Sequence, residues 1–195
     1  AEHAAAHLER KVHKIPLAQQ VLQRLTGGAA LTQDPQARSP VTMVCCQNDY
    51  TKDITTRTMD VVCINRYYGW YNLSGDLDNA AYAFKKELDF WETIDKPLIL
   101  SEYGADTVAG MHGFTPEMFT EEFQVEYYRT INGCLDERRF VVGEWPWNFA
   151  DFSTQQGPMR VGSCNRKGLF TRERTPKLAA HYFRDRWGKK EPNDR

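Results

Sequence analysis

Short, wholly apolar runs alternate along the chain with longer stretches in which apolar residues recur every three or four positions. The short runs lie at residues 41–46, 61–65, 97–101 and 140–144. Apolar at successive positions, they predict strands of a parallel sheet covered on both faces. Between the second and third, Leu77, Ala81, Phe84, Leu88 and Trp91 recur at spacings of four and three. That spacing predicts a helix over 78–94 with this stripe inward. A second helix is predicted over 116–135, with Thr115 as N-cap and Pro116 at the first helical position. Thr175-Pro176 repeats the cap-then-proline signal and opens a last helix carrying Ala179, Tyr182, Phe183 and Arg186. Residues 52–59 read as a short helical segment, residues 1–25 as helical with a break near Pro16, and residues 26–40 as a loop rich in Gly, Pro and small polar residues. The closing KKEPNDR reads as a polar tail. Four strands, each followed by helical sequence, predict the α/β class.

Composition narrows the partners. With 25 basic residues against 26 acidic, the formal charge is -1, and no broad positive field exists for nucleic acid. No apolar run approaches the length of a membrane span. The first residues alternate charge with Ala and build no apolar signal region. Five cysteines, two of them adjacent (Cys45, Cys46), and no C-x-x-C pair argue against a disulfide framework or a zinc site. His3 and His7 share a helix face at i, i+4 but lack a third ligand, so no metal site is expected.

Polar and aromatic residues gather just after the strands, where parallel α/β folds place ligands. Asn65-Arg66-Tyr67-Tyr68-Gly69-Trp70-Tyr71 follows the second strand, Glu102-Tyr103-Gly104 the third, and the fourth leads through Trp145-Pro146-Trp147-Asn148 to Phe152. A lone Tyr or Trp is more often core than ligand site. Three clusters at equivalent positions favour a carbohydrate site instead, with rings on the apolar faces of a sugar and amides and carboxylates on its hydroxyls. Glycoside hydrolysis needs two carboxyl groups, one ionised and one protonated. Glu102 ends the very apolar third strand, and an ionised Glu102 held by a Tyr hydroxyl such as Tyr67 would suit the nucleophile. Glu144 also ends a strand, and on these grounds the two compete.

INRYYGWY, LILSEYGADTVAGMH, VVGEWPWNFADF and RKGLFTRERTPKLAA, in that order, closely resemble the C-terminal catalytic barrel of β-glucuronidases, retaining enzymes of glycoside hydrolase family 2. The resemblance spans residues 41–187, about three quarters of the chain. It implies a (β/α)8 TIM barrel of which this chain supplies strands five to eight. The chain then divides into a helical and loop lead-in at 1–40, the C-terminal half of the barrel at 41–190, and a polar tail at 191–195. Carried across position by position, Glu102 matches the catalytic nucleophile and Tyr67 the tyrosine that hydrogen-bonds it. Tyr71 matches a second active-site tyrosine and Trp147 the tryptophan beneath the sugar. Asn165 and Lys167 match the Asn-x-Lys pair that recognises the glucuronate carboxylate, with Arg160 the arginine upstream. Under this mapping Glu144 is not the nucleophile.

The resemblance implies hydrolysis of β-D-glucuronides with retention and without a cofactor. On this reading Lys167 and Asn165 select the uronate, because a neutral sugar leaves a buried cation unpaired. Two departures stand out. VGSCN places Asn165 five positions after Arg160, one more than the resemblance leads one to expect, which predicts displacement of Arg160 or Asn165. Pro146 precedes Trp147, which a strand end tolerates. The acid/base glutamate of the family lies in an Asn-Glu-Pro motif, and no Asn-Glu dipeptide occurs here. Glu2, near where that region would fall, reads as a helix-surface residue. A closed barrel typically takes ~250 residues, so the expectation is a chain that works with a further N-terminal part of the enzyme, as a homo-oligomer when complete. The expected partners are therefore a small-molecule or glycan glucuronide and that further part, with neither nucleic acid nor membrane. The alternatives are a half-barrel that binds glucuronides or proteins without hydrolysis, or another family 2 activity such as that of β-galactosidases.

Overall fold

The computed structural model describes residues 40–188. The expected N-terminal helix and loop, Glu2, the His3/His7 pair and the C-terminal tail lie outside the described residues. Four parallel strands form one sheet: β1 (Thr42–Cys45), β2 (Val61–Asn65), β3 (Leu98–Tyr103) and β4 (Val141–Pro146), neighbouring one another in chain order. The 52–59 segment resolves into two short 3-10 turns, Tyr50–Lys52 and Thr56–Thr58. Helices α1 (Leu77–Glu92) and α2 (Glu121–Asp136) fill the next two crossovers, and α3 (Leu178–Gly188) follows β4. A small antiparallel pair, β5 (Phe152–Ser153) and β6 (Cys164–Asn165), lies between β4 and α3.

Monotonic strand order with right-handed crossovers brings successive helices onto one face of the sheet. Consistent with this, α1 packs on α2 and α2 on α3. This is the arrangement of a (β/α) barrel segment, with the helices on the outer side of the sheet. Apolar residues of the strands pack against the helices on this face. Val62, Ile64, Leu98 and Leu100 from the strands meet Phe84, Leu88, Trp91, Phe123, Tyr127, Tyr128 and Phe183 in a single core. Met43, Val142 and Trp145 on the two outer strands remain exposed.

The helix stripe is rotated slightly from the expected one. Phe84, Leu88 and Trp91 are buried as expected, but Ala80 and Glu87 are buried with them, whereas Leu77 and Ala81 are only partly covered. Glu87 is tolerated because Arg66 Nε donates to both its oxygens at 2.7 Å. The Tyr68 hydroxyl at 2.9 Å and Trp91 Nε1 at 2.8 Å complete the carboxylate's partners. A buried charge satisfied this fully locks α1 to the end of β2.

Both cap-then-proline signals misplace their helices by a few residues. The α2 helix begins at Glu121, with Thr120 Oγ1 accepting from the Phe123 N–H at 3.1 Å. Residues just before it are held by tertiary backbone bonds, since Phe119 bridges Thr107 and has φ 74°. Pro176 likewise bridges Phe170, and α3 starts at Leu178. Its first N–H donates to Glu121 Oε2 at 2.7 Å, so a carboxylate from the neighbouring helix satisfies this exposed terminus.

Candidate active site

The ends of β2, β3 and β4 converge on Glu102. Backbone pairing aligns Asn65 with Glu102, and the Arg66 N–H donates to the Glu102 carbonyl at 2.8 Å. This fixes the loop after β2 beside the third strand. From it the Tyr67 hydroxyl donates to Glu102 Oε2 at 2.9 Å. Burial, and then the facing Glu102 carboxylate, holds the Tyr67 phenol well above its ordinary range. The phenol therefore stays a donor throughout the working range, which suits an ionised carboxylate.

Glu144 occupies the equivalent end of β4 in a different environment. Arg186 Nε donates to Glu144 Oε1 at 2.7 Å and Nη2 to Oε2 at 3.0 Å. Trp187 Nε1 reaches Oε1 at 3.1 Å, and Asn132 donates to Oε2 as well. Glu144 is buried on the helix side, whereas Glu102 is half-exposed. The two glutamates thus differ in setting: Glu144 ties β4 to α2 and α3, whereas Glu102 is half-exposed beside Tyr67.

Next to Tyr67, with ring centroids 5.1 Å apart, lies Tyr71. Its hydroxyl accepts from Arg160 Nη2 at 2.8 Å and from Lys167 Nζ at 3.0 Å. The extra residue between Arg160 and Asn165 does not keep the arginine away. Gly162 and Ser163, at φ 65° and 52°, turn the chain tightly enough to return Asn165 opposite Phe152. The Asn165 side-chain oxygen accepts from the Lys167 backbone N–H at 3.2 Å. Lys167 is only 1% exposed, with its ammonium 4.8 Å from the Tyr71 ring and 5.1 Å from that of Trp70.

Lys167 is also ion-paired with Asp106, a residue that the sequence reading did not single out. The argument that a neutral sugar leaves this cation unpaired is therefore corrected. Asp106 lies four positions beyond Glu102 in the segment leaving β3, where its local sequence is that of one more polar residue after a strand. Arg160 Nη1 approaches the same carboxylate at 3.5 Å. Lys167 and Arg160 together against one Asp106 leave a single positive charge on the set.

Trp147 stands at the end of β4, with its N–H donating to the Tyr103 carbonyl at 2.8 Å. Its ring packs edge-on to Phe152 at 6.1 Å, beside rather than within the chain of contacts from Glu102 to Lys167. Gly104 permits this approach, since a Cβ there would fall 2.2 Å from the Trp147 carbonyl oxygen. Beneath the site, the Gln124 amide of α2 donates to the Ala105 carbonyl at 3.0 Å. Lys177 Nζ joins Asp151 Oδ1 at 2.8 Å to the carbonyls of Thr107 and Arg166, each at 3.0 Å. These buried groups tie the segments that follow β3 and β4 to each other and to α2. A groove of about 780 Å³ between α2 and α3, lined in part by Val125, Arg129, Tyr182 and Arg186, contains none of the expected site residues. Among the described residues no group of three or more His, Cys, Asp or Glu is arranged to hold a metal.

Residues 30–191 match the family model described as glycosyl hydrolases family 2, TIM barrel domain. The chain is similar to the β-glucuronidase of Paenibacillus borealis, at 48% identity over 130 residues, or 66% of this chain and 22% of the relative. It is 44% identical to the human β-glucuronidase over 163 residues, 82% of this chain and 25% of the relative. Among solved structures, it superposes on Faecalibacterium prausnitzii β-glucuronidase with a TM-score of 0.79 and 64% identity, covering 83% of this chain and 27% of that one. For the Bifidobacterium dentium β-glucuronidase complexed with coumarin-3-O-glucuronide the values are 0.78 and 63%, over 82% and 25%. The chain spans about a quarter of the length of the curated relatives it matches.

Proposed function

The chain belongs to glycosyl hydrolase family 2, within its TIM barrel domain, and we propose that it forms the nucleophile side of a retaining β-glucuronidase active site. The observation that carries this reading is the continuous contact from Glu102 through Tyr67 and Tyr71 to Arg160 and Lys167. It joins an accessible carboxylate to a cationic pocket within one small site. The names of the relatives agree with it.

In this mechanism a Glu102 oxygen attacks the anomeric carbon as the glycosidic C–O bond breaks. The leaving oxygen takes a proton from a second carboxyl group, which in a retaining site lies about 5–5.5 Å away. Glu144 is committed to Arg186 and does not fill that role. We assign the acid/base to the part of the relatives' length outside the match. Water then attacks the same carbon and returns its proton to that group, releasing glucuronic acid and freeing Glu102. Tyr67 holds Glu102 in its attacking orientation, and Trp147 forms the apolar floor for the sugar. Arg160, Asn165 and Lys167, with the Tyr71 hydroxyl between the two cations, read the uronate carboxylate. The single net positive charge there matches one carboxylate, and charge-assisted hydrogen bonds are stronger than those to a neutral hydroxymethyl.

The test is hydrolysis of 4-nitrophenyl β-D-glucuronide by the protein at its native length, with the glucoside and galactoside alongside. The expected result is turnover of the glucuronide with the β-anomer released first, abolished by Glu102→Gln, which also abolishes trapping by a 2-fluoro-glucuronyl fluoride. Faster cleavage of the galactoside, or inversion at the anomeric carbon, overturns the reading. Glucuronide binding without cleavage would identify a binding module.

A further inference from the structure

Asp106 is a buried carboxylate that meets both cations of the pocket, Lys167 and Arg160. Its Oδ1 accepts from the Arg166 backbone N–H at 2.8 Å. Its Oδ2 accepts from Lys167 Nζ and faces Arg160 Nη1 at 3.5 Å. Asp106 itself is 1% exposed and belongs to the segment leaving β3, four residues past Glu102. The Thr107 N–H donates to the Arg166 carbonyl at 2.9 Å, so backbone and side chain pin the 160–167 loop to the nucleophile strand at adjacent residues.

We propose that Asp106 is a positioning and specificity-determining residue, which clamps the carboxylate-reading loop to the nucleophile strand and reduces that loop's charge to a single positive unit. The proposal rests on the glucuronidase reading above and deepens it. Two cations facing one pocket repel each other and hold solvent anions without discrimination. One buried carboxylate between them fixes both in place and leaves charge for one further carboxylate. Lys167 has little freedom of its own once Asp106 and the Tyr71 hydroxyl hold its ammonium. The cost of ordering a long flexible side chain is thus met on folding rather than on substrate binding. Asp106 touches no reacting atom in this scheme and acts through Lys167 and Arg160.

Asp106→Asn retains the size and an oxygen for the Arg166 N–H but removes the counter-charge. Breaking a buried hydrogen-bonded charge pair at a binding site weakens recognition by roughly 30-fold or more. The expected result is a fall of that order in the ratio of kcat/KM for 4-nitrophenyl β-D-glucuronide to that for the glucoside, carried mainly by KM for the uronide. A merely structural role would lower both substrates alike. A ratio unchanged or raised overturns the proposal, because it would mean that the freed positive charge outweighs the lost positioning.

A second readout does not depend on turnover. Lysine acetylation by sulfosuccinimidyl acetate, mapped by mass spectrometry, should leave Lys167 protected in the unsubstituted protein and labelled in Asp106→Asn. Lys177, fully buried against Asp151, reports folding in the same experiment and should stay protected in both. Equal protection of Lys167 in both proteins refutes the clamp. If Lys177 also becomes labelled, the variant has unfolded and Asp106→Glu replaces it: the charge is kept but displaced by one methylene. That variant should keep Lys167 protected and lower the uronide ratio by a smaller factor, and an unchanged ratio again refutes the proposal. Absence of glucuronide turnover in the unsubstituted protein overturns the functional reading and the specificity claim with it, while the labelling still decides the clamp.

Discussion

Replacing Glu144 by Gln should unfold the protein more readily than replacing Glu102 by Gln, although both residues end strands of the same sheet. Glu144 is 9% exposed and receives two hydrogen bonds from Arg186 and one from Trp187. Burial works against the Arg186 guanidinium, and the Asp136 and Glu144 carboxylates together outweigh it, raising its pKa. Removing one partner of a buried ion pair costs about 3–5 kcal/mol. Here Arg186 keeps Asp136, which it contacts at 2.7 Å through both terminal nitrogens, and Gln still accepts from Asn132. The expected loss is therefore roughly 2–3 kcal/mol, or about 5–10 °C in Tm for a chain of this size. Glu102 has Tyr67 as its side-chain partner across a half-exposed site. Its replacement by an amide should shift stability by about 1 kcal/mol or less. Urea unfolding followed by tryptophan fluorescence measures both, provided the m-value stays constant. A Glu144→Gln unfolding free energy within about 1 kcal/mol of the unsubstituted protein, or a larger loss for Glu102→Gln, refutes the assignment of structural and chemical roles.

Gly104→Ala should lose activity and stability together, because the added Cβ meets the Trp147 carbonyl oxygen at 2.2 Å; normal melting of this variant would show that the two loops are not packed as described. Glu122 raises the pKa of His112 by accepting its hydrogen bond. The pair contribution is then full below the ordinary His pKa and lost as pH rises through the raised one. Proton NMR should place the His112 titration above 6.5 and return it there in Glu122→Gln. Tyr67, Tyr103, Tyr127 and Tyr128 have phenol pKa values raised chiefly by burial. Above the ordinary phenol range the unfolded chain ionises first, so stability falls as pH rises. Absorbance at 295 nm should show these four ionising only as the protein unfolds, and early reversible ionisation of all nine tyrosines would contradict their burial.

The linear order of apolar runs and helical stripes was enough to place all four sheet strands and three helices to within a few residues. Each of those elements is defined by local spacing and composition, which the chain carries irrespective of what it packs against. Strand-end position singled out Glu102 and Tyr67 as candidates, whereas Tyr71, Arg160, Asn165, Lys167 and Trp147 were candidates through the family resemblance. The helix starts were misplaced because Thr115-Pro116 and Thr175-Pro176 are adequate local caps that lose to tertiary bonds at Phe119 and Phe170. The helices gather on one face of the sheet because strand order and crossover handedness decide it, and neither is visible in a hydrophobic pattern.

The two strand-end glutamates cannot be separated from their own local sequence, since each ends an apolar run. Only the fold places Arg186, from forty-two residues further along, against Glu144, and leaves Glu102 half-exposed with Tyr67. The same holds for Glu87, which interrupts an apolar helix face until Arg66 arrives to pair with it. Asp106 looked like one more polar residue after a strand, and folding set it between Lys167 and Arg160. Which residue types are present, and in what local rhythm, was legible in the chain. Which charges meet was decided by packing, because a charge's role depends on its partner and its exposure to water, and both arise only when distant segments come together.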